Sequence, residues 1–595
     1  MYLVQVEVVS VPASGEVQSE SLTHRSATVW QKYPPAEGEQ YPPLPQSEST
    51  AQLPPTSQTF ALLSVGELLT MGREARMDVL AWVAMALPAP AHAPSESAAS
   101  DEPRWLLGAM LGLCLISALP CLAFAHLPMT DLPQHEAIVS IMRHMHDPAY
   151  GFEPYYEWAL GRTLYVFPYF LALGLSFLVP LGWALRITVF VATLSYPLGV
   201  LLMLRALKKP VVLTLLALPL LYNRAFFWGF IHFNLGLGLA FIVLSELVGP
   251  WSRGKGWRVA CLSLLTATTH VYGLVLLSLY ALAWLMVGER RELWSRVAWL
   301  LPAAIALGVW GSLVAKAPGF GGVQWLPFRF RLREIGNSIL GGYRDRSEDF
   351  ILAAWLLVTL AVVWRSLPVT LGRWRRLGVH ERATYILIIA NLAGYFFLPL
   401  ATATAKFINF RHLLMAAMLL PLAVSGRDYA NGRTWAKVLP AALAAVALAN
   451  AGWHLWRFDR EADEFDAVLA LLPQRPHIAQ MTDDAGGKVM RSGPYMHFGA
   501  YGQAQRGGVL IDSFPLRFWN VPVKGRTISD VSTALTGITR PAKEPDPSED
   551  QQSFDCFLVR QGDDQIGRWT AYRKHGFAAA MGTWQLDCQQ RSALH

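Results

Sequence analysis

Long, nearly charge-free apolar runs separated by short basic clusters constrain this chain more than any other feature. The first full-length run is residues 105–125. Others follow at 183–207, 211–222, 229–248, 259–287, 299–314, 351–364, 385–400, 413–424 and 438–453. A helix of about 20 apolar residues spans the hydrocarbon core of a bilayer. A chain that is 53% hydrophobic and only 16% charged is too apolar for an average soluble domain. It reads as an α-helical polytopic membrane protein. The 22 Trp and 28 Phe suit two membrane–water interfaces, where aromatic rings settle.

The basic clusters set the orientation. Arg205/Lys208/Lys209, Arg253/Lys255/Arg258, Arg290/Arg291/Arg296, Arg365 to Arg382, and Arg427/Arg433/Lys437 fall between runs, as cytoplasmic loops do. Their placement argues against reading the net charge of +7 as a nucleic-acid footprint. Run 259–287 is too long for one span and is broken at Thr268-Thr269-His270, so it goes out and back. Residues 164–180, with Pro168 and Pro180, read as a helix on the outer interface. The register gives about 11 transmembrane helices, with the N-terminus cytoplasmic and the C-terminus outside. Large outer loops fall at about 126–182 and 316–349. The second is itself basic (Arg329, Arg331, Arg333, Arg344, Arg346), against a strict charge count. Long translocated loops escape that rule, and such arginines would suit an anionic lipid or ligand.

The two ends differ from this body, which covers residues 101–456. Residues 1–100 are rich in Ser, Glu, Gln and Pro and read as a disordered or over-long extension. A signal-like run at 79–87, behind Arg73 and Arg76, would fit a start at Met71 or Met77. From 457 to 595 the composition is that of a small extracytoplasmic α/β or α+β domain. Within it, 465–472 is a short amphipathic helix, 557–559 and 584–586 are strands, and 541–550 is a flexible loop. Cys114, Cys121 and Cys261 lie in apolar runs. Cys556 and Cys588 could be bridged if their domain is outside the cytoplasm. No cysteine pattern indicates a metal, and the sequence assigns no metal ligands.

Polar groups gather at three outer places. The first is Asp131 with His135 and Glu136, just past the first span, where ionisable groups tend to mark function. On a helix, Asp131 and His135 share a face and Glu136 points elsewhere. Asp131 could act as a general base, or simply cap the helix that Leu132-Pro133 begins. The second is the short loop 401–411 with Lys406, Arg411 and His412. These could hold a lipid-linked phosphate or snorkel to headgroups. The third is His270, lining a cavity at a broken pair of spans or serving as a structural turn residue. Arg162, Glu153, Glu157, Tyr155 and Tyr156 share the first loop with Asp131. Arg186, at the start of the next span, reads as an ion-pair partner that fixes that loop.

This arrangement resembles the GT-C superfamily of membrane glycosyltransferases, such as the protein O-mannosyltransferases and the lipid A aminoarabinose transferase. In that family an acidic residue follows the first span, interface helices come next, and the second span opens near an Arg. Here those features are Asp131, residues 164–180, and Ala184-Leu185-Arg186. The short spans around Thr269-His270 and the late loop with Lys406 and Arg411 also match. The resemblance implies a polyprenyl-phosphate-linked sugar as donor, in keeping with the lack of a nucleotide-binding Gly-rich motif. Asp131 would act on the acceptor hydroxyl, with Glu136 and His135 as helpers. Lys406 and Arg411, with Arg162 or His270, would hold the departing lipid phosphate. The Asp-x-x-x-His-Glu form departs from the adjacent acidic pairs of some members, which leaves a divalent cation open as a cofactor. The acceptor (lipid, glycan or protein) is not specified, and the bacterial inner membrane is the implied location. A transporter or lipid flippase is the competing class. It would place ionisable groups at mid-bilayer and often show internal repeats.

Overall fold

Helical segments stand where the apolar runs predict spans. This computed structural model describes residues 103–588 except 289, 315–321, 373, 375–376, 403–404, 425–433, 483, 519, 527–554 and 561–576. The expectations for residues 1–100 and 541–550, and for the basic residues Lys316, Arg373, Arg375, Arg376, Arg427 and Arg433, fall outside them.

The helices are α1 (Arg104–Ala118), α2 (Leu132–His144), α3 (Phe167–Ser176), α4 (Leu181–Ala206), α5 (Ile231–Val248), α6 (Arg253–Thr269) and α7 (Val271–Val287). They continue with α8 (Leu301–Val314), α9 (Ser347–Gly372), α10 (Val379–Phe397), α11 (Ile408–Leu419), α12 (Thr434–Leu471) and α13 (Gly499–Arg506). Among the described residues, five helical stretches are long and apolar enough to cross a bilayer: Arg104–Ala123, Leu181–Ala206, Ile231–Val248, Arg290–Leu313 and Val438–Leu471. Phe167–Ser176, Val211–Leu220, Val271–Val287 and Ile408–Ala423 are shorter apolar pieces. Large apolar side chains such as Ile305, Val309, Phe350, Leu357 and Ile389 stand exposed on these helices. Such a surface suits lipid, and the apolar helices make the chain an integral membrane protein.

Helix packing follows the small residues. A Cβ on Gly238 of α5 would fall 2.0 Å from the Ser195 hydroxyl of α4, so the two backbones touch directly. Two expectations change. Residues 211–222 do not form an α-helix but two 3-10 turns, Val211–Leu216 and Leu218–Leu220. Pro210 and Pro219 interrupt the run, and its apolar side chains are buried among neighbours rather than turned to lipid. The amphipathic helix at 465–472 is the end of α12, which runs unbroken for 38 residues. The boundary placed at 456/457 is therefore the middle of a helix. α3, within the stretch read as an interface helix, is ten residues long, too short to span.

The polar end of the molecule carries strands. β2 (His477–Thr482) pairs in parallel with β3 (Val509–Leu510) and with β5 (Cys556–Arg560). β7 (Trp584–Cys588) runs antiparallel to β5 and to β6 (Phe577–Met581), giving the order β3-β2-β5-β7-β6. The two strands expected from sequence are β5 and β7, and Cys556 and Cys588 face each other across them in a disulfide. A separate ribbon joins β1 (Tyr156–Trp158) to β4 (Val523–Gly525), linking the first loop to the C-terminal region.

That ribbon is one of several ties. Gln134 of α2 donates to the Asp512 carbonyl and accepts from the Phe514 N–H, at 2.9 and 3.0 Å. Ser140 bonds the Ala504 carbonyl of α13, and Gln503 bonds the Tyr156 hydroxyl. Tyr343 bridges Met490, and Arg491 pairs with Glu348. One apolar core runs through the helices, the first loop and the sheet.

Candidate functional site

Pro133 sits in the first turn of α2, where its missing N–H costs nothing and its fixed φ favours the helix. Asp131 occupies the N-cap position, yet its side chain makes no capping bond. Its backbone fixes it instead. The Thr130 and Asp131 N–H groups donate to the carbonyls of Phe227 and Trp228. The next residue, Gly229, has φ +82°, and a Cβ there would fall 2.7 Å from the Asp131 nitrogen. Only glycine lets the two segments approach this closely.

The Asp131 carboxylate faces His497, whose Nε2 lies 3.7 Å from Oδ1, with side-chain exposures of 16% and 14%. Burial raises the Asp131 pKa to about 8. The carboxyl is thus poised near neutrality, as a general base should be.

His135 does share the Asp131 face, but both its ring nitrogens are engaged. The Gly229 carbonyl, 3.2 Å away, can only accept, so Nε2 carries the proton. Nδ1 then accepts from the Tyr169 hydroxyl at 2.9 Å. Burial lowers the His135 pKa to about 4, which keeps the ring neutral. Glu136 turns away, as its position on the helix requires. A Cβ built on Gly182 would fall 3.9 Å from its carboxyl, and Arg186 and His126 are its charged neighbours. Burial raises its pKa to about 7, against those two cations. Arg186 holds the loop entry by donating to the Phe124 carbonyl at 3.2 Å and stacking on Trp183 at 3.8 Å.

The phosphate-binding candidates separate. Arg411 opens α11 and packs against the rings of Phe230, Phe233 and Tyr272. With Arg224, Trp228, Phe230, Phe407 and Phe410 it lines a small cavity, half of whose lining residues are aromatic. Arg224 also donates to the Asn337 carbonyl and lies over Phe410. Asp131 is not among the lining residues, but Trp228, whose carbonyl accepts the Asp131 N–H, is. Lys406 is exposed one residue before Phe407, beside the cavity wall. His270 stands behind that wall, edge-on to Phe233 and stacked on Tyr165. Its Nδ1 accepts the Tyr272 N–H and caps α7. Arg162 is half-buried, and its carbonyl accepts from the Trp310 indole.

The second basic loop is not a free anion site along its whole length. Arg331 is buried and donates to the Leu326, Tyr395 and Leu398 carbonyls. Arg344 pairs with Asp484, and Arg346 with Asp349. Arg331 is thus held by main-chain carbonyls, and Arg344 and Arg346 each have a carboxylate partner within the chain.

Sequence reasoning did not single out His497, Arg224, Trp228 or Gly229. His497 reaches Asp131 from the C-terminal region, and no local pattern announces a partner so far along the chain. Asn223-Arg224 did carry a signal: the Asn223 side chain accepts the Phe226 N–H and starts a short helix that aims Arg224 inward.

No family model and no curated protein matches this chain. Among solved structures it is similar to the crystal structure of ArnT from Cupriavidus metallidurans bound to undecaprenyl phosphate. The match covers 82% of this chain and 98% of that one, at 12% identity and a TM-score of 0.46. No residue-to-residue correspondence follows at that level of similarity.

Proposed function

We propose that this chain is a membrane glycosyltransferase that moves a sugar from a polyprenyl-phosphate donor to an extracytoplasmic hydroxyl acceptor. The observation that carries the reading is the Asp131 carboxyl: largely buried and not spent on capping, on a residue whose backbone N–H bonds the carbonyl of Trp228, which with Arg224 and Arg411 lines a small cavity. The two guanidiniums suit the donor's phosphate. Asp131 takes the acceptor's proton while the acceptor oxygen attacks the anomeric carbon. The bond from that carbon to the phosphate oxygen breaks, and the configuration inverts. Arg411 and Arg224, with Lys406 at the rim, stabilise the leaving phosphate as its charge grows. His135 and Tyr169 hold the start of α2. Glu136 acts from another face of that helix, His270 supports the cavity through Phe233, and Arg162 stands with the first loop. The Cys556–Cys588 disulfide favours an oxidising compartment for the sheet, and so an outward site.

The test is transfer from a panel of polyprenyl-phosphate-linked sugars by protein in proteoliposomes. Asp131→Asn should reduce transfer by at least a thousandfold while the protein still inserts and folds, melting no lower than wild type. Wild-type rates in that variant would remove the assignment.

A further inference from the structure

Near Glu136 lies a group of side chains that the proposed reaction does not use. His126 sits in the segment between α1 and Asp131 and is only 7% exposed. Its backbone N–H donates to the Asp459 carboxylate of α12 at 2.7 Å, which fixes the residue against that helix. Its Nε2 lies 3.2 Å from Asp466. Its Nδ1 is buried without a hydrogen-bond partner and points toward Asp459, 3.6 Å away, beyond hydrogen-bond range. Asp463 is one turn beyond Asp459 on the same face of α12. One ligand atom each from His126, Asp459 and Asp463 lie within 4.8 Å of one another.

We propose that His126, Asp459 and Asp463 bind a divalent transition-metal ion that ties α12 to the segment leading into Asp131. Bonds of about 2.0–2.2 Å in a tetrahedral shell place two ligands roughly 3.4 Å apart, so closure around an ion needs side-chain shifts of about an ångström. One imidazole with two carboxylates selects zinc or manganese over magnesium and calcium, whose shells are all oxygen. The orphaned Nδ1 gains a partner, and three carboxylates around one histidine gain a counter-charge. Asp463 is exposed and only loosely paired with Arg460, at 3.4 Å, which leaves room for water to complete the shell.

The experiment is titration of chelator-stripped full-length protein in nanodiscs with zinc chloride or manganese chloride. Calorimetry, melting temperature and, for manganese, electron paramagnetic resonance give the readout, and no sugar transfer is needed. Wild type should bind one ion saturably and melt higher with it than without. Asp463→Asn should melt like wild type in chelator yet bind at least tenfold more weakly, and His126→Gln should lose binding. Absence of saturable binding to wild type would overturn the proposal. So would equal affinity in wild type and Asp463→Asn, or a preference for calcium or magnesium. Because binding is read without a donor sugar, these results leave the transferase reading to its own test.

Discussion

Asp131 is held in place by main-chain contacts, and this decides what its carboxyl can do. A carboxylate that capped α2 would have its charge stabilised by helix N–H groups and a lowered pKa. This one lacks that bond, and burial raises it to about 8. Two results follow. Transfer should rise with pH through about 8 as the base form accumulates, in a rate profile measured from pH 6 to 9.5. Stability should move the other way. The unfolded carboxyl titrates near 3.9, so between about pH 4 and 8 the folded state holds more protons than the unfolded one. Stability then falls as pH rises through that window. Asp131→Asn should flatten the dependence and melt a few degrees higher at pH 8. Melting curves of the two proteins that run parallel from pH 5 to 9 would show that the carboxyl is not held this way. Asp131 was legible in the sequence because charge is conspicuous beside an apolar span. His497 and Arg224 were not, because nothing near them in the chain states what they face.

At the scale of elements, apolar runs located most of the helices, since bilayer thickness dictates both length and composition. They misread residues 211–222, where the turns are buried by protein and the run length carries no information about pairing. The sheet was half visible: the apolar cores of β5 and β7 stand out, whereas β1 and β4 exist only because they meet each other. The turn between the short helix Arg224–Phe227 and α5 is the element that seats α2. Gly229→Ala should cost about 1–3 kcal/mol from the positive φ alone, with the close approach to Asp131 added. The expected phenotype is a protein that inserts, melts lower and transfers at least tenfold more slowly. An alanine variant with wild-type melting and activity would show that the approach of Trp228 and Gly229 to Asp131 is not required.

For the whole molecule, the sequence divides at 456/457 but the packing does not. α12 continues from the apolar region into the polar layer, and Gln134 has both ends of its amide bonded to the 512–514 segment. Buried polar pairs of this kind are costly to break on one side only. The C-terminal strands should therefore share their stability with the first loop. The disulfide makes this measurable. It closes a separation of 32 residues, for which the chain-entropy relation gives about 3–4 kcal/mol. Replacing both Cys556 and Cys588 with Ser should lower unfolding stability by an amount of that order. If the polar layer is one cooperative unit, hydrogen exchange should accelerate in β1 and α2 as well as in β5 and β7. Acceleration confined to residues 477–588 would mean that the C-terminal region unfolds by itself. His497 would then reach Asp131 as a docked visitor, and the Asp131 pKa would depend on how often that docking holds.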